Sequence, residues 1–593
     1  MSDTDAKAVA GDNARATAGQ AGDPASHDAK RIENVVAFTR RDRVDPSPEG
    51  PAPTDGDPPH DEASPGEAAT ADVAPPNAAL PPHVEIELKL LVDSDRLKDF
   101  NDAPAIAANA RSKGSHKQLK SVYYDTPERT LWRNGLTLRV RKSGARFLQT
   151  VKAESGDDPL RRGEWEASVP SLAPDLALAM PFIAPKLRAD LEAERLEAVF
   201  TSEIRRHTRM IDLPSGTVEV AFDQGVLKAG NRSLPVSEIE LELKDGSRLA
   251  IYELALRLAE HGPVQPSIRS KSARGFDLAE DAPPAARKPR KLRLDPQTSL
   301  DDAFAAILRA CLWHLLESIP AAADGRDPEG IHQVRVALRR IRSALDLMRS
   351  VGSLGKLESL RSEARWLAQN LSAARDWDIF QTKTLPTVAK FCPTIAGFAT
   401  LRELAGQRQS SAYHAARAVL ADRRCANFVL QLGGWIEARG WRGDVAAEGL
   451  AQLADPTINF AARMLSGQHA KVLKRGRRFK SLAADERHRV RLAVKKLRYI
   501  ADFLLPLYGD RKPVRRYSDR LTDLQKDLGS YNDMATTASL LAGLAAEASD
   551  SASAAAAITG WQAHAMVEAE THVRGAWSEF VKAKPPWLRD DEA

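Results

Sequence analysis

VEIELKL (residues 84–90) sets an apolar side chain against a charged one at every step. In an extended chain successive side chains point to opposite faces, so Glu85, Glu87 and Lys89 share one face and Val84, Ile86 and Leu88 the other. A second stretch, SEIELELK (237–244), repeats the pattern with Glu238, Glu240 and Glu242 opposite Ile239, Leu241 and Leu243. Period two marks both as strands rather than amphipathic helices. Carboxylates at consecutive positions on one face repel one another unless cations bridge them.

Working outward, the same alternation recurs. Arg139 and Arg141 oppose Leu138 and Val140, and Thr150 and Lys152 oppose Val151. Arg162, Glu164 and Glu166 alternate with Gly163 and Trp165, while Glu219, Ala221 and Asp223 oppose Val220 and Phe222. Candidate strands are 83–92, 118–125, 135–143, 146–153, 162–169, 199–211, 217–223 and 234–244, with turn residues such as Lys142-Ser143-Gly144 and Pro214-Ser215-Gly216 between them. Helices are expected near 94–101, 185–196 and 246–261. A merely solvated face would mix Thr, Ser and Gln with its charges. Here some strands offer carboxylates and others offer Arg and Lys, so a closed sheet would enclose an acidic patch facing a basic one. A polyanion accompanied by Mg²⁺ or Mn²⁺ suits such an interior, because these ions prefer carboxylate and phosphate oxygens and Arg and Lys neutralise phosphate charge. No Ser/His/Asp or Cys/His nucleophile arrangement stands out. Metal-assisted attack of water on phosphorus needs only carboxylate-held cations and a cationic clamp.

A chain of 593 residues exceeds what one hydrophobic core organises. Eleven prolines fall between Pro46 and Pro82, and residues 1–80 read as an extended, disordered tail. The strand region runs over 83–281, a basic Pro-rich linker over 282–298, and an Ala/Leu-rich region with period 3.6 over 299–585. Cys311, Cys392 and Cys425 form no disulfide or zinc pattern. With no secretory signal and no 18-residue apolar run, a cytoplasmic location without a membrane span is expected.

The helical region contains a repeat. HQVRVALRRIRSALDLM (332–348) matches HRVRLAVKKLRYIADFL (488–504), and LAQNLSAARDWD (367–378) matches LQKDLGSYNDMA (524–535) at nearly the same offset. Two related helical halves are implied. On each helix the basic residues cluster: His332, Arg335, Arg339 and Arg342 fall within about 80° of one another, flanked by Arg340. His488, Arg491, Lys495 and Arg498 repeat the face, flanked by Lys496. Val334, Ala337, Leu338, Ile341 and Leu345 form the opposite, core-building side. Like charges so placed cost stability unless an anion offsets them. Without interleaved aromatics for base stacking, nucleic acid is a poor fit.

These residues carry two family resemblances. Glu85-Ile-Glu87-Leu-Lys89, then YYDTP (123–127), GLTLRVR (135–141), TVKA (150–153), RRGEWE (161–166), VEVAFDQGVLKAG (218–230), SEIELELK (237–244) and SKSARG (270–275) resemble, in order, the motifs of the CYTH superfamily, the triphosphate tunnel metalloenzymes. The resemblance implies an α+β, multidomain protein whose eight-stranded antiparallel β tunnel barrel, with flanking helices, binds triphosphate with divalent cations, and the fusion to the helical region favours hydrolysis of inorganic triphosphate to pyrophosphate and phosphate. Glu85, Glu87 and Lys89 would be catalytic. Glu85, Glu87, Glu240 and Glu242 would hold Mg²⁺ or Mn²⁺, with Glu219 and Glu238 as further candidates. Lys89, Arg139, Arg141, Lys152, Lys271 and Arg274 would bind triphosphate, together with Arg206 in preference to Arg205, a choice that parity leaves open. Adenylate cyclase and thiamine triphosphatase activities occur on the same fold, and a non-catalytic polyphosphate-binding role is a further alternative. The doubled His-x-x-Arg motif at 332–342 and 488–498, with Ala374-Arg375-Asp376 and Tyr531-Asn532-Asp533, resembles the CHAD domain. This implies an all-α helical-bundle domain of two related halves that binds polyphosphate through the two basic helices and holds the enzyme at polyphosphate granules.

Overall fold

The computed structural model describes residues 83–154, 158, 160–193, 195–352, 355–545 and 549–588. The expected N-terminal tail, 1–80, lies outside them. Eight strands close into an antiparallel barrel: β1 (His83–Leu91), β2 (Ser115–Asp125), β3 (Leu136–Ser143), β4 (Arg146–Glu154), β5 (Arg161–Val169), β6 (Glu197–Leu213), β7 (Gly216–Ala229) and β8 (Arg232–Gly246). The spatial order is β5-β4-β3-β2-β6-β7-β8-β1, and β1 completes the ring by pairing with β5 as well. Its first half sets Glu85 opposite Arg162, and its second half sets Glu87 opposite Glu242 and Lys89 opposite Glu240. A short β9 (Gln265–Ser267) adds to the end of β1. Closure removes every free edge of the eight strands. The β3–β4 turn depends on Gly144, whose φ of 63° a side chain would disfavour.

The barrel is polar inside and apolar outside. Leu88, Leu90, Val218, Val220, Phe222, Ile239 and Leu241 point away from the lumen and are buried beneath helix Leu249–His261. On another flank Leu131, Leu138, Val151, Ile183, Leu187 and Leu191 form a separate core with helix Pro185–Ala193. Toward one end the inward positions turn apolar. Leu119, Ile204, Leu227 and Val236 pack together there, and helix Lys271–Glu280 lays Phe276 against Tyr123 and Phe200. That helix was not expected from the sequence, where SKSARG served only as a motif. It starts on a Ser270 cap, whose hydroxyl accepts a 3.0 Å bond from the Ala273 amide.

Beyond the linker the chain is all helical. Helix Leu300–Asp324 is, among the described residues, the one helix long and apolar enough to cross a bilayer. Its Ala303, Phe304, Leu308, Leu312 and Leu315 are instead buried in the protein core. It pairs with helix Glu329–Met348, which carries the first basic motif; the second lies on helix Ala484–Leu504. The later repeat segments differ: the first copy spans two helices, Gly355–Asn370 and Ser372–Ile379, whereas the second lies within one helix, Lys512–Ala545.

Barrel and helical region share one continuous core. Tyr252 of the 249–261 helix lies against helix Arg423–Glu437 so closely that a Cβ on Gly433 would come within 2.1 Å of its ring. Arg423 donates to the carbonyls of Ala259 (2.7 Å) and Glu260 (3.0 Å), satisfying the C-terminal end of the 249–261 helix.

Candidate functional site

The lumen holds a cavity of about 250 Å³. Seven cationic side chains (Lys89, Arg139, Arg141, Lys152, Arg162, Arg206, Lys271) and seven carboxylates (Glu85, Glu87, Glu164, Glu166, Glu219, Glu240, Glu242) line it, with Tyr123, Thr137, Ser270 and Ser272. Strand register explains much of the mixing: Glu85 stands across from Arg162, Glu164 from Lys152 and Glu240 from Lys89, while Glu242 stands across from Glu87 on one side and Glu219 on the other. Lys152 reaches Glu85 at 2.6 Å and Glu164 at 3.1 Å. Arg139 reaches Glu164 at 3.2 Å, and Arg162 reaches Glu87 at 2.8 Å. Lys89, 2% exposed, is paired with Glu87 and stands 3.4 Å from Glu240. Arg206 forks onto Asp223 at 2.7 and 2.6 Å and also pairs with Glu240.

The charges are not evenly compensated along the lumen. At the plugged end, the carboxylates of Asp223, Glu238 and Glu240 converge closely enough to share one cation. That cation is Lys271, whose Nζ lies 2.6, 2.5 and 3.0 Å from the three groups in turn. Arg274 pairs with Glu238 behind it. An ammonium in this tripod makes the cluster a poor vacancy for a divalent ion. Burial raises the Asp223 and Glu240 carboxyls, but Lys271 and Arg206 outweigh it, leaving Asp223 below its ordinary value and Glu240 well below. Glu87 likewise ends lowered, burial being outweighed chiefly by Lys89.

Elsewhere the balance reverses. Burial pushes the Glu242 carboxyl up; Lys244, 2.6 Å away, opposes the shift, while Glu85 and Glu219 add to it. Glu85, Glu219 and Glu242 thus form an acidic corner in which three carboxylates share two ammoniums, Lys152 on Glu85 and Lys244 on Glu242 and, at 3.9 Å, on Glu219. Across the lumen Arg141 donates to the Ser121 hydroxyl at 3.3 Å and has no carboxylate within 4 Å among the described residues. Burial, then Arg139 and Arg206, hold its guanidinium down to about 10. The Arg139 Nε is buried with no acceptor. Tyr123, raised by burial, is pulled below its ordinary value by Arg139 and Arg141.

A second cationic surface lies in the helical region, where the two repeat helices face one another. Burial lowers the Lys495 ammonium, and Arg339, Arg491, Arg342 and Arg335 lower it further. Arg335, Arg342 and Arg498 are lowered as well, each by burial first and neighbouring arginines next. The Nε atoms of Arg340 and Arg342 are buried without acceptors. Arg340 spans the two helices, its guanidinium 5.0 Å from the Phe503 ring. His332 falls to about 4, through burial and then Arg375, with Arg339 and Lys383 also lowering it and Glu329 opposing.

The profile of the CYTH domain matches residues 83–276 and that of the CHAD domain residues 306–542. The chain carries a CYTH domain followed by a CHAD domain. Among its relatives, the inorganic triphosphatase of Haemophilus influenzae is 26% identical over 160 residues, 27% of this chain and 46% of that protein. An uncharacterized protein of Mycobacterium tuberculosis is 28% identical over 314 residues, 50% of this chain and 58% of that one. The chain therefore spans about half the length of these curated relatives. The crystal structure of the CHAD domain from the plant Ricinus communis is 30% identical and covers 51% of this chain and 99% of that one, with a TM-score of 0.44.

In the CYTH domain the cavity wall includes Glu85, Glu87, Lys89, Arg139, Arg141, Lys152, Arg206, Glu219, Glu240, Glu242 and Lys271. Glu238 and Arg274, also candidates from the sequence, do not line it; they pair with each other behind Lys271. The register decides the position that parity left open: Arg206 faces Asp223, whereas Arg205 is exposed and bonds Gln224 at 2.8 Å. Sequence reasoning passed over Asp223, Arg162 and Glu164 as site residues, although all three sit in the alternating strands that flagged the others. In the CHAD domain Arg335, Arg339, Arg342, Arg491 and Lys495 come together, while His488 and Lys496 are exposed.

Proposed function

We propose that the CYTH tunnel hydrolyses inorganic triphosphate to pyrophosphate and phosphate with Mg²⁺ or Mn²⁺, and that the paired basic helices of the CHAD domain hold polyphosphate. The observation that carries the first part is charge balance. Seven cations facing seven carboxylates leave the lumen near neutral, so a triphosphate with its several negative charges brings the enclosed site far from neutrality unless divalent cations enter with it. The acidic corner of Glu85, Glu219 and Glu242 fits such a cation, because hard carboxylate oxygens are what Mg²⁺ and Mn²⁺ take. Bound there, the ion would supply Lewis-acid charge to phosphate oxygens.

The chain's own residues do the rest. Arg141, with Arg139 beside it, lacks a carboxylate and is free to take phosphate oxygens, and their charges match those that build up on a transferring phosphoryl group. Glu87 and Glu240 hold Lys89 in place on the lumen wall. The closed barrel limits access of bulk water, which strengthens each of these interactions. Similarity to an inorganic triphosphatase supports this choice of substrate. Polyphosphate binding is supported by the lowered guanidinium and ammonium groups of the CHAD cleft, which an anion would restore.

The test is phosphate release from triphosphate, ATP and thiamine triphosphate, with and without Mg²⁺ or Mn²⁺. Metal-dependent release is expected from triphosphate first, and Arg141→Ala should reduce it on the order of 10²–10³-fold. Glu85→Ala should raise the metal concentration needed. Tight triphosphate binding without turnover by the unaltered protein would sink hydrolysis and leave a phosphate-holding module.

A further inference from the structure

A second cavity, of about 140 Å³, adjoins the tunnel where the CYTH domain meets the linker and the CHAD domain. Arg162 and Ser270 line both cavities. Arg162 forms the partition: one guanidinium nitrogen donates to Glu87 in the tunnel at 2.8 Å, and another to the Ile268 carbonyl at 2.9 Å. The charged part of the wall comes from several parts of the chain, with Glu317 supplied by helix 300–324. Arg161 comes from β5, Arg269 and the capped first turn of the 271–280 helix from the tunnel's plug, and Arg287 and Arg290 from the linker.

Five arginines therefore face two carboxylates, Asp277 and Glu317. Both acids are engaged, Asp277 by Arg269 and Glu317 by Arg290 at 2.5 Å. Arg161 and Arg287 have no carboxylate within 4 Å among the described residues and both are exposed, although the charge of Arg287 is felt by Asp277 from farther off. The N-terminal end of the 271–280 helix adds its partial positive charge to the same space. A linker of solvated charges has no need to bring arginines beside a tunnel already rich in them.

Resting on the triphosphate reading of the tunnel, we propose that this cavity is a further phosphate subsite. It takes the phosphoryl groups beyond the third in a linear polyphosphate whose end lies in the lumen. Arg161 and Arg287 contact the distal phosphates, and Arg162 contacts the junction. The linker is then part of the binding site, and chain length is sensed where the two domains meet.

The experiment measures binding of triphosphate, pentaphosphate and ATP by calorimetry at fixed salt. It uses the full-length chain carrying Arg339→Ala and Lys495→Ala, so that the CHAD cleft does not compete. Pentaphosphate should bind about tenfold tighter than triphosphate, consistent with added charge-assisted contacts. Adding Arg161→Ala and Arg287→Ala should abolish that preference and leave the triphosphate Kd within about twofold. Triphosphate binding with no pentaphosphate preference, or a preference that survives the double substitution, overturns the subsite and leaves the tunnel reading intact. Equal losses for both ligands also overturn it, since the arginines would then act on the tunnel. An ATP preference of the same size would mean the cavity serves a nucleoside rather than phosphates. If neither triphosphate nor pentaphosphate binds, the tunnel reading fails and the subsite fails with it.

Discussion

Lys271 shows how one side chain decides what a carboxylate cluster can do. Asp223 and Glu238 are fully buried, and Glu240 is nearly so; their shared ammonium offsets a repulsion that would otherwise oppose folding. Lys271→Ala should therefore destabilise the chain by about 3–5 kcal/mol, as breaking a buried pair does. Lys271→Arg should recover part of the loss. The pH dependence has a definite sign. Asp223 and Glu240 are lowered from ordinary values of 3.8 and 4.5, so their stabilising contribution is present above that range and lost as pH falls through the lowered values. The deficit of the Ala variant should be full at neutral pH and shrink below about pH 4. Urea midpoints measured at pH 7 and pH 3.5 check this; a deficit that stays constant would mean Lys271 acts through packing alone. His332 acts in the same direction over a higher window. Its lowered value near 4, against an ordinary 6.5, means stability is full above 6.5 and declines toward pH 4 as the ring is forced to charge beside Arg375, Arg339 and Lys383. A polyanion in the cleft would raise the ring's value, so polyphosphate binding at pH 5.5 should take up a proton. Calorimetry in two buffers of different ionisation heat reads that uptake, and His332→Gln should remove it.

Helices and strands differ in how much of their role could be read from the sequence. Strand period alone placed Glu85, Glu87 and Lys89 on one face, because β1 alternates without interruption and closure of the barrel turns that face inward. It could not rank the carboxylates. Glu238 and Glu242 alternate identically, yet Glu238 is buried against Lys271 and Arg274 while Glu242 faces the lumen, a difference made by a helix about 30 residues later in the chain. The 271–280 helix was itself illegible, since its ten residues offer only Phe276 and Leu278 as large apolar side chains and are held by contacts with Tyr123 and Phe200. In the repeat helices, periodicity showed the basic faces but not that they oppose each other. That opposition makes a prediction at the level of the helix pair. Lys495 is half-buried among arginines, so Lys495→Met should stabilise the free protein, by about 0.5–2 kcal/mol, while weakening polyphosphate binding. Thermal unfolding with and without polyphosphate separates the two effects. A variant that loses stability in both conditions would show that Lys495 is held by acidic partners rather than by a missing anion.

At the scale of the molecule, the two domains are joined as firmly as parts of one. The apolar outside of the barrel, the 249–261 helix and the 300–324 helix share one core, and the contact with helix 423–437 is close enough that Gly433 has no room for a side chain against Tyr252. Arg309 and Glu437, in a two-point pair at 2.8 Å, lie next to the same tyrosine, where burial and then Glu437 push the phenol up. An interface of this kind couples the stability of its two sides, in contrast to the looser contacts usual between domains. The chain should therefore unfold in one calorimetric transition. Gly433→Val would force the Tyr252 ring out of its seat and cost about 1–3 kcal/mol of overpacking. The cost falls at the joint between the two domains, so the variant should show two separated transitions rather than one lowered transition. The CYTH cavity lies on the inner face of the barrel, away from this contact, and triphosphate should still raise the melting temperature of the transition that contains it. A single transition that moves down intact would place the cooperative unit elsewhere, and two transitions in the unaltered chain would show that the shared core does not couple the domains.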